Sequence, residues 1–218
     1  MQQEKTPLNI LVVEDNESHL ADAQAYFSPL QEKGILHVEY ATTLFDAQSK
    51  LSKLIIPGGK LKKKDGILTD IFFPLGGSPQ YQDSRLRTIE SLFRAAVNVH
   101  WDDSKDDESK SREKERASLL KAAEPWLNTQ YPPPSGMYLV LQARSERIPL
   151  VVHTDVSGHG KMGLPSLLFM DDYHLPVIVI PEDSRPPQKN KDWKKIHSSL
   201  TTILGDPDYR QYPIKIRH

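Results

Sequence analysis

The chain has 218 residues, a formal net charge of -1 and a sequence pI of about 6.7, so it has no overall basic field that would favour nucleic acid or anionic membranes. It contains no cysteine, which excludes disulfides, thiolate catalysis and zinc-thiolate sites. No apolar signal core follows Met1 and no apolar run is long enough to cross a bilayer, so we expect a cytoplasmic protein.

The first predicted element is a buried strand that ends in two adjacent carboxylates. Four consecutive apolar residues, Ile10 to Val13, are typical of a strand in a parallel sheet, and Glu14 and Asp15 follow them directly. Open α/β sheets form their sites at the carboxyl ends of strands. Two neighbouring carboxylates at neutral pH favour a bound cation, and a hard divalent ion prefers oxygen ligands. The alternative is a solvated acidic turn that caps the next helix.

Two strand-helix repeats follow this turn. Ser18 is predicted to cap a helix that Pro29 ends, and a half-buried strand runs from Leu36 to Ala41. Thr43 opens a second helix, and a third buried strand ends at Asp70. The alternation predicts an α/β fold with a parallel sheet and right-handed crossovers.

The pattern changes between residues 75 and 133. An amphipathic helix is predicted to begin near Asp83 or Ser84, a charged stretch covers 102–116, and Pro132 to Pro134 close the segment in an extended form. We interpret 75–133 as a helical insertion. A loop of this length is functional or partly disordered in most compact domains, and a tolerated surface loop stays open as the alternative.

The α/β pattern resumes after the insertion and continues to residue 204. The predicted elements are a helix over 137–144, a fourth buried strand over 148–155, a short helix over 166–171, a fifth strand over 176–181 and a closing helix that Asp192 caps. Thr154 stands at the end of the fourth strand. We therefore expect a discontinuous α/β domain of residues 1–74 and 134–204, followed by a tail over 205–218 that has no clear periodicity.

Four of these residues stand at the carboxyl ends of the first, third and fourth strands: Glu14, Asp15, Asp70 and Thr154. In a doubly wound five-stranded sheet of order 2-1-3-4-5 these ends converge at the switch point between strands one and three. The order of elements and these residues resemble the receiver domain of two-component response regulators, over residues 8–74 and 134–204. Pro134-Ser135-Gly136 also resembles the proline and glycine that normally follow the phosphoryl acceptor.

The resemblance implies a role for each of these residues. Glu14 and Asp15 would bind Mg2+ together with Asp70, which would be the phosphoryl acceptor, and Thr154 would be the switch hydroxyl. The implied partners are a histidine kinase or phosphotransfer protein and a downstream protein, with no nucleic acid or membrane. Because only a short tail follows the closing helix, we expect output by protein-protein contact.

The chain departs from the receiver pattern at the fifth strand. Receivers place a lysine at the end of that strand, and alignment on Pro181 puts Ile180 there; the usual aromatic residue aligns with Val177. Lys161, in the glycine-rich loop after the fourth strand, is a candidate replacement. Three functions remain open, in this order: a Mg2+-dependent phospho-acceptor, a pseudo-receiver that works without phosphorylation, and a metal-dependent phosphohydrolase.

Three further residues near the fourth strand are of types that bind metal ions, but their spacing does not indicate a metal site. His153, Asp155 and His159 have no second cluster of recognised spacing, so we interpret the histidines as structural.

Overall fold

The computed structural model describes residues 6–51, 64–102, 117, 132–154, 166, 177–179 and 191–205. The elements, in chain order, are β1 (Leu8–Val13), α1 (Glu17–Glu32), β2 (Leu36–Ala41), α2 (Leu44–Leu51), β3 (Gly66–Thr69), α3 (Pro79–Asp102), α4 (Ser135–Glu146), β4 (Leu150–Thr154), β5 (Val177–Val179) and α5 (Trp193–Gly205). Among the described helices, none has the length and apolar character needed to cross a membrane.

The strands form a parallel sheet in which β2, β1, β3 and β4 are neighbours in that order. The predicted α/β class and this strand order are confirmed. At the carboxyl end of the sheet, Val13 pairs with both Ala41 and Thr69, and Thr69 pairs with Val152. Of the predicted fifth strand, residues 177–179 are described, and they pair in parallel with β4.

The sheet is buried on both faces, as the continuous apolar runs of β1, β3 and β4 predict. Alternate side chains of β1 enter different cores: Leu11 and Val13 pack on one side of the sheet, and Ile10 and Val12 on the other. The first core includes residues of α2, α3 and α4, and the second includes residues of α1 and α5. Helices on both faces hold the strand ends in fixed positions relative to one another.

The structure corrects two predictions about helix ends. Asn16, not Ser18, caps α1, because its side-chain oxygen accepts hydrogen bonds from the backbone N–H groups of Ser18 and His19. Pro29 does not end α1, which continues to Glu32.

The amphipathic helix α3 begins at Pro79, four residues before the predicted start at Asp83. Within the region predicted as an insertion, α3 buries Ile89, Phe93 and Val97 in the same core as β1 and α4. This helix is therefore part of the main core. Most of the remaining segment, 103–116 and 118–131, lies outside the described residues, as do Lys161, Ile180 and all but Ser166 of the predicted helix over 166–171.

Candidate functional site

The carboxyl ends of β1, β3 and β4 bring polar residues together, as their positions in the sequence predict. The backbone N–H of Glu14 donates to the Ala41 carbonyl at 3.0 Å, and that of Asp70 donates to the Val13 carbonyl at 3.0 Å. These hydrogen bonds extend the sheet past the last residue of each strand. They fix Glu14 and Asp70 at one edge, where Glu14 is fully buried and Asp70 is 8 % exposed.

The largest departure from the predicted site is a buried lysine that binds both carboxylates. The Lys191 ammonium donates to Asp70 Oδ2 at 2.7 Å and also to Glu14 Oε2. Lys191 lies two residues before α5, next to Asp192, which caps the first turn of the helix by accepting a 3.0 Å hydrogen bond from the Lys195 N–H. The chain therefore places an ammonium group at the acceptor candidate, although the end of the fifth predicted strand has none.

Both oxygens of Asp70 have donors in this arrangement. The Ile71 N–H donates to Oδ1 at 2.6 Å, while Lys191 holds Oδ2. Burial favours the protonated acid, but the charge of Lys191 and these hydrogen bonds outweigh it, so the pKa of Asp70 lies below its ordinary value. Asp70 is therefore a carboxylate at neutral pH.

The ammonium group is stabilised in return. Burial alone would lower the pKa of Lys191, but the nearby charges of Asp70 and Glu14 and their hydrogen bonds raise it above its ordinary value. Lys191 therefore stays charged at neutral pH, and the group forms a buried ion-pair network of one cation with two carboxyl partners.

Asp15 lies beside this network and has a different environment. Partial burial raises the pKa of Asp15 to about 6, and the charges of Asp70 and Glu14 add to the effect. The site thus contains three carboxyl groups and, among the described residues, the single ammonium of Lys191. This excess of negative charge favours a further cation.

His153 belongs to the same site, although the sequence favoured a structural role for it. Its ring is fully buried, with Nδ1 3.8 Å from Glu14 Oε2, and it packs edge-on against Trp193 with ring centroids 4.9 Å apart. Burial and the charge of Lys191 hold the pKa of His153 well below its ordinary value, so the ring is neutral. Ligand atoms of Glu14, Asp70 and His153 all lie within 4.8 Å of one another, and this group could hold a metal ion.

Thr154 stands at the end of β4, next to His153, and is fully buried. Its hydroxyl has no hydrogen-bond partner in the structure as described. Within the described part of the chain, the Thr154 hydroxyl is therefore a donor that a ligand at this edge could use.

The amino-terminal end of α4 packs directly on the acceptor candidate. The Gly136 N–H donates to the Ile71 carbonyl at 2.8 Å, and the Ser135 hydroxyl donates to the Phe73 carbonyl at 2.8 Å. A Cβ at Gly136 would lie 2.6 Å from the Asp70 carbonyl oxygen, which is closer than real Cβ contacts allow. The Pro134-Ser135-Gly136 motif is thus adjacent to Asp70 in space, although more than sixty residues separate them in sequence.

Sequence reasoning missed Lys191 because the search for a lysine was anchored on the end of the fifth strand. The available signal was the topology. A helix that follows a parallel strand begins at the carboxyl edge of the sheet, so the residues just before the Asp192 cap belong to the edge that carries the site. Lys191 is one of them.

No protein-family model matches the chain, and no curated protein is significantly similar to it. The geometry of the site is therefore the basis for assigning a function.

Proposed function

We propose that the chain is an atypical response-regulator receiver with a five-stranded sheet of order 2-1-3-4-5, in which Asp70 accepts a phosphoryl group with the assistance of Mg2+. Output is by contact with a partner protein. The observation that carries the proposal is the ammonium of Lys191, 2.7 Å from Asp70 Oδ2 in a site that also contains Glu14 and Asp15.

The acceptor has the chemistry that phosphoryl transfer requires. Attack by an Asp70 oxygen on a phosphodonor forms an acyl phosphate and breaks the bond between phosphorus and the leaving group. With acetyl phosphate as donor, acetate departs. Asp70 is ionised and therefore needs no general base, and Lys191 offsets charge on the transferred group.

The residues present fit a hard divalent cation. Glu14, Asp15 and Asp70 offer carboxylate oxygens, and they outnumber the ammonium that now neutralises them. Bound there, Mg2+ would supply positive charge against the equatorial phosphoryl oxygens. Asp15 has a raised pKa, and a cation bound beside it would favour its ionised form.

The Thr154 hydroxyl supports a switch function. It is buried and without a partner in the described part of the chain, so it has a donor to offer to a new phosphoryl oxygen. Formation of that hydrogen bond would couple phosphorylation of Asp70 to the end of β4. A histidine kinase or phosphotransfer protein would supply the phosphoryl group.

A pseudo-receiver that works without phosphorylation is the second candidate, and one observation favours it. Lys191 already satisfies one oxygen of Glu14 and one of Asp70 within a buried network. A site in which a buried lysine already pairs with two of the acids can be purely structural.

The two candidates differ in their response to a phosphodonor. We expect the tag-free chain, incubated with acetyl phosphate and Mg2+, to gain one phosphoryl group by intact mass. Asp70→Asn should abolish the adduct, and Asp83→Asn should not, because Asp83 is exposed on α3 and pairs with Arg87. A folded chain that gains no mass, and that shows no NMR shifts with beryllium fluoride, would support the pseudo-receiver. Continuous release of phosphate would indicate a phosphohydrolase.

The contribution of Lys191 is measurable in the same assay. Loss of one preorganised donor to a developing charge slows comparable reactions by about 10²-fold to 10³-fold. We expect Lys191→Gln to slow adduct formation by a factor in this range, with circular dichroism confirming that the variant is folded. Lys194→Gln is the matched control, since Lys194 is exposed on α5. Equal rates for both variants would remove Lys191 from the mechanism.

A further inference from the structure

Phosphoryl acceptance leaves one buried group of the site unused, the His153 imidazole. The ring is fully buried, yet neither Nδ1 nor Nε2 has a hydrogen-bond partner in the part of the chain that the structure describes. Buried polar groups are nearly always hydrogen-bonded, and one that is not calls for a specific explanation such as an ion. Packing against Trp193 explains the ring position but satisfies neither nitrogen.

The unsatisfied ring lies beside two carboxylates that could complete a metal site. His153 Nδ1 is 3.8 Å from Glu14 Oε2, and one ligand atom from each of His153, Glu14 and Asp70 falls within a 4.8 Å span. Zinc-ligand bonds of about 2.0–2.2 Å place ligand atoms roughly 3–4 Å apart. Side-chain shifts of about 1 Å would therefore bring all three residues onto one ion.

The donor set indicates which ions suit the site. Mg2+ takes oxygen ligands and keeps its waters, whereas an imidazole nitrogen suits Zn2+ and its neighbours in the first transition row. We propose that Glu14, Asp70 and His153 bind a first-row divalent ion that accepts an imidazole ligand, with Zn2+ the ion to test, at the position that the Lys191 ammonium now occupies. A water or exogenous anion would complete the tetrahedral coordination that Zn2+ prefers.

The proposal makes Lys191 a competitor of the metal. The oxygens that hold its ammonium belong to two of the three proposed ligands. A zinc ion can bind these same two oxygens only if the ammonium leaves, because two cations within about 3 Å repel each other. The site would then exist in two forms, one neutralised by Lys191 and one by the metal.

The test is calorimetric titration of the full, tag-free chain with Zn2+. We expect one Zn2+ per chain, with affinity reduced tenfold or more in His153→Gln and unchanged in His37→Gln, since His37 is exposed on β2 and far along the strand from this edge. Mg2+ affinity should be the same in all three proteins. Equal Zn2+ affinity in the wild type and His153→Gln would overturn the proposal.

A measurement on the wild type covers the case in which His153→Gln fails to fold. In 15N-labelled protein, Zn2+ should shift a ring nitrogen of His153 into the range of metal-bound imidazole, and Mg2+ should not. An unchanged His153 signal at saturating Zn2+ would equally refute the site. Lys191→Met should bind Zn2+ at least tenfold more tightly than the wild type, and weaker binding would contradict the competition.

One consequence rests on the proposed function. If Asp70 accepts a phosphoryl group, stoichiometric Zn2+ should suppress the acetyl phosphate adduct, because it would displace the Lys191 ammonium that offsets charge on the transferred group. Zinc binding is measured without a phosphodonor, so failure of the metal site and failure of phosphoryl acceptance give different results. Adduct formation that proceeds normally in zinc-saturated protein would contradict the overlap of the two sites.

Discussion

The strongest prediction concerns the stability of the buried network around Lys191. The side chains of Lys191 and Glu14 are fully buried, and that of Asp70 is 11 % exposed. At an effective dielectric constant of about 20, a charge pair at 2.7 Å is worth roughly 6 kcal/mol, and the cost of burying the ammonium offsets part of this. Lys191→Met should therefore reduce the free energy of unfolding by about 3–5 kcal/mol at pH 7.5, because it leaves two buried carboxylates unpaired.

The pH dependence of that loss follows from the shifted pKa values. In the wild type the pKa of Asp70 is lowered. The ionised Asp70 carboxylate therefore stabilises the fold at any pH above about 4, the ordinary pKa of an aspartate, and this stabilisation is lost only in more acidic solution. Without Lys191, burial raises the pKa of Asp70, and the folded variant takes up protons as the pH falls. The variant should therefore become more stable between pH 7.5 and pH 5, and its deficit relative to the wild type should shrink by roughly half.

Urea denaturation at both pH values measures these differences. Lys194→Met is the control and should stay within about 0.5 kcal/mol of the wild type, since it changes an exposed lysine of α5 three residues further along the chain. The double variant Asp70→Asn/Lys191→Met should lose less than the sum of the single variants, with a coupling of about 1–3 kcal/mol. A loss below about 1 kcal/mol, or a deficit independent of pH, would refute the ion-pair interpretation.

Three further changes test the surroundings of the site. Asp15→Asn should raise the melting temperature at pH 7.5 but not at pH 4. The pKa of Asp15 is raised to about 6, so its ionisation lowers the stability of the fold as the pH rises from about 4 to 6. Solvent screening limits the gain in the variant to roughly 1 kcal/mol. Gly136→Ala should cost about 1–3 kcal/mol in urea denaturation and slow acceptance at Asp70, whereas Gly205→Ala, which meets no atom within 4 Å, should do neither. Asn16→Ala should cost about 1 kcal/mol and Ser18→Ala less, since Asn16 caps α1.

Each of these has an outcome that would contradict it. Equal melting curves for Asp15→Asn and the wild type at pH 7.5 would mean that ionisation of Asp15 costs no stability. Normal stability in Gly136→Ala would show that α4 can move away from Asp70 at no cost. A larger loss in Ser18→Ala than in Asn16→Ala would restore Ser18 as the cap.

The sequence by itself determined the sheet and the carboxylates at its edge. The apolar runs of β1, β3 and β4 can be buried only in a sheet covered on both faces, and parallel strands bring their carboxyl ends to one edge. Glu14 and Asp70 therefore had to lie near each other, as they do. The helix caps were less well determined, because Asn16 and Ser18 are both good capping residues and only the backbone geometry selects one.

Only the tertiary structure decided what neutralises these carboxylates and what surrounds them. Lys191 is 121 residues from Asp70 in sequence, and its position before the Asp192 cap places it at the right edge of the sheet but does not show that its ammonium is buried between the two carboxylates. The same holds for His153, whose buried ring packs against Trp193 of α5 and whose two nitrogens have no hydrogen-bond partner among the described residues. Long-range charge pairing depends on how separate elements pack against one another, and the periodicity of the sequence does not predict that packing.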